Sequence, residues 1–144
     1  MVVRGEIGLV FSKPEVDYMK SQKLARFATV SPKGQPEVVP VAFEFDGKYL
    51  YVGSHSQEIF LNTRKYKSVR DGNKLVGLVV DDLESIDPWK PRGIKIHGTA
   101  EIAEHNGMFG PGKYLRITPK TSWSWGISGL ETKKGEWSHK TIHK

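Results

Sequence analysis

The chain has 144 residues, a mass of 16.2 kDa and a formal net charge of +6, the usual size of one domain and enough to bury a single core without disulfides or metal. The absence of cysteine excludes disulfide frameworks, thiolate metal sites and cysteine nucleophiles together, while 38% hydrophobic and 26% charged residues make an ordinary globular balance. No secretory signal opens the sequence and no apolar run approaches the roughly 20 residues of a membrane-spanning helix, so a cytoplasmic location is expected.

Ser12-Lys13-Pro14-Glu15 has the form of a capping box with proline in the first turn, and Val16, Tyr18 and Met19 then predict a short helix. The β-rich run Leu24 to Ser31, the turn Pro32-Lys33-Gly34-Gln35 and the alternation from Glu37 to Phe45 predict a hairpin. Asp46-Gly47 then leads into Tyr49 to Ser54, extending the hairpin to a three-stranded meander. From Glu58 to Val69, Ile59, Phe60, Thr63, Tyr66 and Val69 recur near helical spacing before the stop Asp71-Gly72-Asn73. Between Phe60 and Lys74 the residues Arg64, Lys65, Lys67, Arg70 and Lys74 face only Asp71, a local balance of +4. That helix reads as an anion site or, alternatively, as a solvated face.

Lys74 to Asp81 has the pattern of a fully buried strand, and Arg92 to Ala103 reads as another that pairs with it. The stretch between them, Asp81 to Gly93, carries four acids, two prolines, Trp89 and Arg92, more than a strand reversal requires, and is read as a functional loop. Tyr114 to Pro119 and Thr121 to Ile127 predict two short strands, and the polar stretch 131–144 predicts a tail that is mobile or ordered only by a partner. Short strands with two short helices, and no Gly-x-Gly-x-x-Gly, point to a mainly β chain folded as a small closed or split barrel. The five histidines show no metal-ligand spacing. Asp81 and Asp82, adjacent in an extended segment, point to opposite sides and read as loop-stabilising rather than as an acid-base pair.

Ser54 ends one predicted strand and Thr63-Arg64-Lys65 follows on the next helix, so a hydroxyl, a guanidinium fork and an ammonium converge in a way that suits a terminal phosphate. Ala28 to Pro36 followed by Val38-Val39-Pro40-Val41 resembles the first hairpin of the flavin-binding split barrels related to pyridoxamine 5′-phosphate oxidase. The resemblance continues through Asp46 to Tyr51, Thr63-Arg64-Lys65, Val79 to Asp82, Pro88 to Gly93, Gly98 to Glu101 and Ser124-Trp125-Gly126. The Asp-Asp and Pro-Trp-x-Pro-Arg-Gly elements look most like the branch that uses a deazaflavin coenzyme.

The resemblance implies an FMN-binding split barrel, flavin mononucleotide (FMN) or the deazaflavin coenzyme F-420 as cofactor, and hydride transfer to or from a small conjugated substrate. It matches Thr63, Arg64 and Lys65 to the phosphate grip and Tyr51, Val52, Gly53 and Ser54 to the strand beside it. It matches Val38, Val39, Pro40 and Val41 to the strand along the tricyclic ring. It further implies a homodimer with cofactor sites at the subunit interface, Trp125 and Trp123 being candidates from the other chain. Arg92 either pairs with Asp81, Asp82 and Asp87 or contacts cofactor or substrate. No protein nucleophile is needed, since the cofactor carries the chemistry. The carboxy-terminal substrate pattern of the pyridoxamine phosphate oxidases themselves is missing after Trp125, so vitamin biosynthesis is not expected. Two other classes fit the residues: a flavin-binding protein without turnover, and a nucleic-acid-binding barrel suggested by the pI of about 9.5 and the lysine-rich tail.

Overall fold

Local signals start each early element of the computed structural model, which describes residues 11–130 and 132–144. Ser12 caps α1 (Lys13–Ser21) in a complete capping box, with the Glu15 carboxylate accepting from Ser12 N–H at 2.9 Å. Strands β1 (Leu24–Val30) and β2 (Pro36–Ala42) are joined by a turn in which Gly34 has a φ of 87°. Strands β3 (Glu44–Phe45) and β4 (Leu50–Val52) are joined through Asp46, whose carboxylate accepts from the N–H groups of Lys48 and Tyr49 at 2.8 and 2.7 Å. The remaining elements are α2 (Gln57–Leu61), α3 (Arg64–Arg70), β5 (Leu75–Ser85), β6 (Lys90–Gly107), β7 (Gly110–Trp125) and β8 (His139–Ile142).

All strands join one antiparallel sheet in the order β2-β1-β5-β6-β7-β4-β3, with β8 on the remaining free stretch of β7. The two ends of that path, β2 and β3, are separated in sequence by Phe43 alone, so the sheet has to curl until its edges meet. That closure makes the barrel. Alternate residues of its strands point inward, and Phe27, Leu50, Val52, Val80, Ile94, Ile96, Leu115 and Ile117 are fully buried there. Helix α1 brings Tyr18 and Met19 into the core, and α2 and α3 bring Phe60, Tyr66 and Val69.

Several expectations are corrected. The Glu37–Phe45 segment is not one strand of a meander, because it leaves β1 as partner and takes up β4 after Phe43. The helix from Glu58 to Val69 is two helices. Thr63 interrupts it by donating to the Phe60 carbonyl at 2.7 Å and accepting from Tyr66 N–H at 3.4 Å, so its hydroxyl starts a new helix rather than riding on an old one. Asp81 to Gly93 is not a long loop: pairing continues through Asp82↔Arg92, Leu83↔Pro91 and Ser85↔Lys90, leaving only residues 86–89 to reverse the chain.

The two carboxy-terminal strands expected from Tyr114 to Ile127 are one, since a bulge at Lys120 opposite Gly98 lets β7 run on. Gly98 is required there because a Cβ would lie 2.4 Å from the Thr118 carbonyl oxygen. The tail expected to be mobile carries β8, and His143 N–H closes on the Lys120 carbonyl at 2.8 Å, so the bulge that lengthens β7 also anchors the chain end. Glu131, at the start of that segment, lies outside the described residues.

Candidate cofactor site

Residues matched to the phosphate grip cluster at the start of α3. Arg64 extends from its first turn to within 3.3 Å of Glu37 at the start of β2, which ties the helix to the candidate ring strand. Arg64 is largely exposed and Glu37 partly so, which keeps this ion pair weak. Lys65 is half-buried with its ammonium 5.9 Å from the Phe60 ring centroid, and no acid pairs with it among the described residues. Burial pulls its pKa down, the signature of a cation lacking its counter-charge. The Thr63 hydroxyl donates to the Phe60 carbonyl at 2.7 Å and caps α3, which positions Arg64 and Lys65.

The strand leading to this helix is held from behind. A Cβ on Gly53 would lie 2.6 Å from the Tyr114 ring, so only glycine allows that approach. The Tyr114 hydroxyl donates to the Gly110 carbonyl at 2.7 Å, and the Gln57 side chain pairs with both N–H and C=O of Lys113. Ser54 accepts from Ser56 N–H at 3.3 Å, while Val52 is core. Tyr51 lies flat on His105, with centroids 3.8 Å apart and planes 5° apart, which makes its side chain a packing group. On β2, Val41 is buried and Val39 partly so, whereas Val38 and Pro40 face outward on an edge strand, a place proline tolerates.

Arg92 and Trp125 lie elsewhere. Tyr51 is in register with Arg116 and, through it, Glu101, whereas Arg92 lies near the start of the same strand β6, about 30 Å back along the strand at about 3.3 Å per residue. Trp125 lies opposite Gly93, where a Cβ would come within 2.4 Å of its ring. The chain therefore assembles two sets of candidate residues at two ends of the barrel.

Of the partners considered for Arg92, Asp82 is the one found: Nε and Nη2 donate to its two oxygens at 3.0 and 2.6 Å. Asp81 pairs with Arg26 instead. The Tyr18 hydroxyl donates to Asp82 at 2.8 Å, and its ring lies 5.2 Å from the guanidinium. Hydrogen bonding from Arg92 holds the Asp82 carboxyl below its usual range, and burial followed by the Asp82 contact pushes the Tyr18 hydroxyl well up. Sequence reasoning missed Tyr18 here, because nothing local to α1 announces a partner on β5. Trp137 of the tail also packs on Trp125, at 4.9 Å between centroids.

Between the two sets, the outer face of β1, β5 and β6 holds a shallow apolar groove of about 390 Å³, lined by residues that include Ala28, Val30, Pro36, Leu75, Gly77 and His97. Val38 and Leu75, on this face, are 67% and 70% exposed. Among the described residues no group of three acids or histidines is arranged to hold a metal ion, and no helix is long and apolar enough to cross a membrane.

The family description of pyridoxamine 5′-phosphate oxidase matches residues 12–122. A 5a,11a-dehydrotetracycline/5a,11a-dehydrooxytetracycline reductase of Streptomyces rimosus is 32% identical over 123 residues, 83% of this chain and 85% of that protein. Among solved structures, a pyridoxinephosphate oxidase family protein of Clostridium acetobutylicum is similar with a TM-score of 0.61 at 16% identity, covering 89% of this chain and 91% of that one. An F-420 reductase is similar with a TM-score of 0.53 at 18% identity, covering 70% and 89%. The fold is thus the split barrel that the residues pointed to.

Proposed function

The chain belongs to the pyridoxamine 5′-phosphate oxidase family, and from that premise we propose that it is a homodimeric oxidoreductase whose cofactor site is shared between subunits. One observation carries the reading: Glu37, which holds Arg64, lies opposite Thr29 beside the Leu75–Gly77 end of β5, whereas Arg92 lies opposite Asp82 toward the other end, so one chain presents the cationic set at α3 and the Arg92–Trp125 set at different ends of the barrel. A second copy docked on the apolar outer face brings the Arg92 end of one subunit to the α3 end of the other. The exposed Val38 and Leu75 give that face the apolar surface an interface core needs.

The residues fit a phosphate-bearing cofactor, either FMN or the deazaflavin coenzyme F-420. Among the described residues no acid pairs with Lys65, and Arg64 is held only by the partly exposed carboxylate of Glu37. When bound, such a cofactor supplies a hydride donor or acceptor. The chain's own part is to bind its phosphate, hold its ring along β2 and close the far side with Trp125. The Streptomyces relative is a reductase of a polycyclic compound, which favours reduction of a conjugated ring substrate.

Mixed dimers test the sharing. Arg64→Ala and Trp125→Ala homodimers should each bind FMN or the deazaflavin weakly, and an unfolded and refolded mixture should recover tight sites, because one site of each heterodimer regains both residues. Absorption titration with light scattering reads affinity and mass together. Recovery of no tight sites, or a monomer in solution, refutes the shared site.

A further inference from the structure

A pocket of about 440 Å³ opens where three separate stretches of chain meet: α1, the root of the β5–β6 arm and the bend after β7. Its volume lies within the range of small-molecule sites. The bend is fixed by packing, because Gly126 has a φ of +68° and a Cβ there would lie 2.1 Å from the Pro91 carbonyl oxygen. After that crossing the chain reaches α1, where a Cβ on Gly129 would lie 3.3 Å from the Pro14 ring. Pro14 and Ile127 give the pocket apolar surface; Lys13 and Asp17 on its wall pair with each other at 2.8 Å, and Tyr18, Glu84 and Arg92 supply its other polar groups along with two serines.

The hydrogen-bonding capacity of those polar groups is unevenly used. Arg92 spends Nε and Nη2 on Asp82, and Tyr18 spends its hydrogen on the same carboxylate. Nη1 makes no hydrogen bond among the described residues, and Glu84 Oε2 stands 4.0 Å from it, beyond hydrogen-bond reach. A guanidinium donor and a carboxylate acceptor are therefore side by side and open. An isolated anion is opposed by Glu84 and an isolated cation by Arg92. A neutral ligand with a carbonyl oxygen beside a hydroxyl satisfies both, the carbonyl accepting from Nη1 and the hydroxyl donating to Glu84.

We infer that this pocket is the substrate site, and that it takes a neutral ring compound carrying a ketone next to a hydroxyl group. The inference rests on the proposed function in one respect: Arg92 and Trp125 are read there as the edge of the cofactor site, which puts the pocket beside the hydride carrier. The ring lies on Pro14 and Ile127 while the paired oxygens are held at Arg92 and Glu84.

Equilibrium dialysis of the full chain with benzoin, and with deoxybenzoin, which lacks only the hydroxyl, tests this with and without FMN. Benzoin should bind about tenfold more tightly, the difference expected of one hydrogen bond to a charged group. Glu84→Ala should erase that preference, and Ser21→Trp, at an exposed position on the rim, should weaken both ligands with the thermal midpoint kept. A preference that survives Glu84→Ala, binding indifferent to Ser21→Trp, or no binding of either compound overturns the inference. Flavin absorbance in the same cells separates the two readings: a Glu84-dependent benzoin preference in protein that binds neither FMN nor the deazaflavin overturns the oxidoreductase reading and leaves the ligand chemistry of the pocket standing.

Discussion

Lys65→Met should separate what this residue does for the fold from what it does for the ligand. The ammonium is half-buried over Phe60 with no acid beside it among the described residues, and burial lowers its pKa from the ordinary 10.5. Because the folded state disfavours the charged form, Lys65 works against stability at neutral pH, and that penalty fades as pH rises through the folded pKa toward 10.5. Methionine keeps the apolar stem and removes the charge. Solvent screens the half-exposed ammonium, so the ligand-free variant should match wild type or exceed it by at most about 1 kcal/mol, roughly 2–4 °C in Tm. Any such gap should close in alkaline buffer. Phosphate-bearing cofactor should bind about tenfold to a hundredfold more weakly, the loss of one charge-assisted hydrogen bond of about 1.5–3 kcal/mol. Urea midpoints and FMN titration measure the two effects on one preparation. A ligand-free variant clearly less stable than wild type, or one that binds FMN undiminished, refutes the argument.

Two further predictions concern the end of the barrel under α1. Glu15 is 1% exposed and accepts from Ser12 N–H, Ser12 hydroxyl and Ser124 hydroxyl, so Glu15→Ala removes a helix cap and strands a buried hydroxyl; thermal or urea unfolding should show a loss of about 2–4 kcal/mol. His143 is buried with Nε2 2.8 Å from the Ser122 hydroxyl, and desolvation lowers its pKa from 6.5 against an opposing pull from Glu15. Its folded pKa being depressed, the stability of β8 docking is full above about pH 6.5 and falls as pH drops through the folded pKa. Amide protection factors in residues 139–142, with the intrinsic exchange rate divided out at each pH, should therefore fall on acidification in wild type by more than in a His143→Gln variant, and equal pH dependence of protection in the two sinks the assignment.

Much of the fold was legible because its signals are short-range. A capping box needs only Ser12 and Glu15, and the turn at Asp46-Gly47 needs only its own carboxylate and a glycine. The arm from Asp81 to Gly93 misled for a physical reason. Charges and prolines mark a loop when nothing opposes them, but here Asp82 lies directly opposite Arg92, so the ladder satisfies its own ions and the strands continue. The tail misled in the same way, since a polar segment with little to bury still forms a strand when an open edge of β7 offers its backbone groups. Thr63 caps α3 through its hydroxyl, which the sequence did not show, because a hydroxyl that starts a helix and one that donates to phosphate look identical until its neighbours' carbonyls are located.

The sequence by itself determined the mainly β class, the hairpin turns, the capped first helix and the cationic start of α3, since each depends on residues a few positions apart. Only the tertiary structure decided that the sheet closes at Phe43, that Tyr18 and Asp82 hold Arg92, and that the cationic set and the Arg92–Trp125 set occupy different ends of the barrel. Those facts depend on strand register and on which edge meets which, relations between residues tens of positions apart that no local pattern encodes.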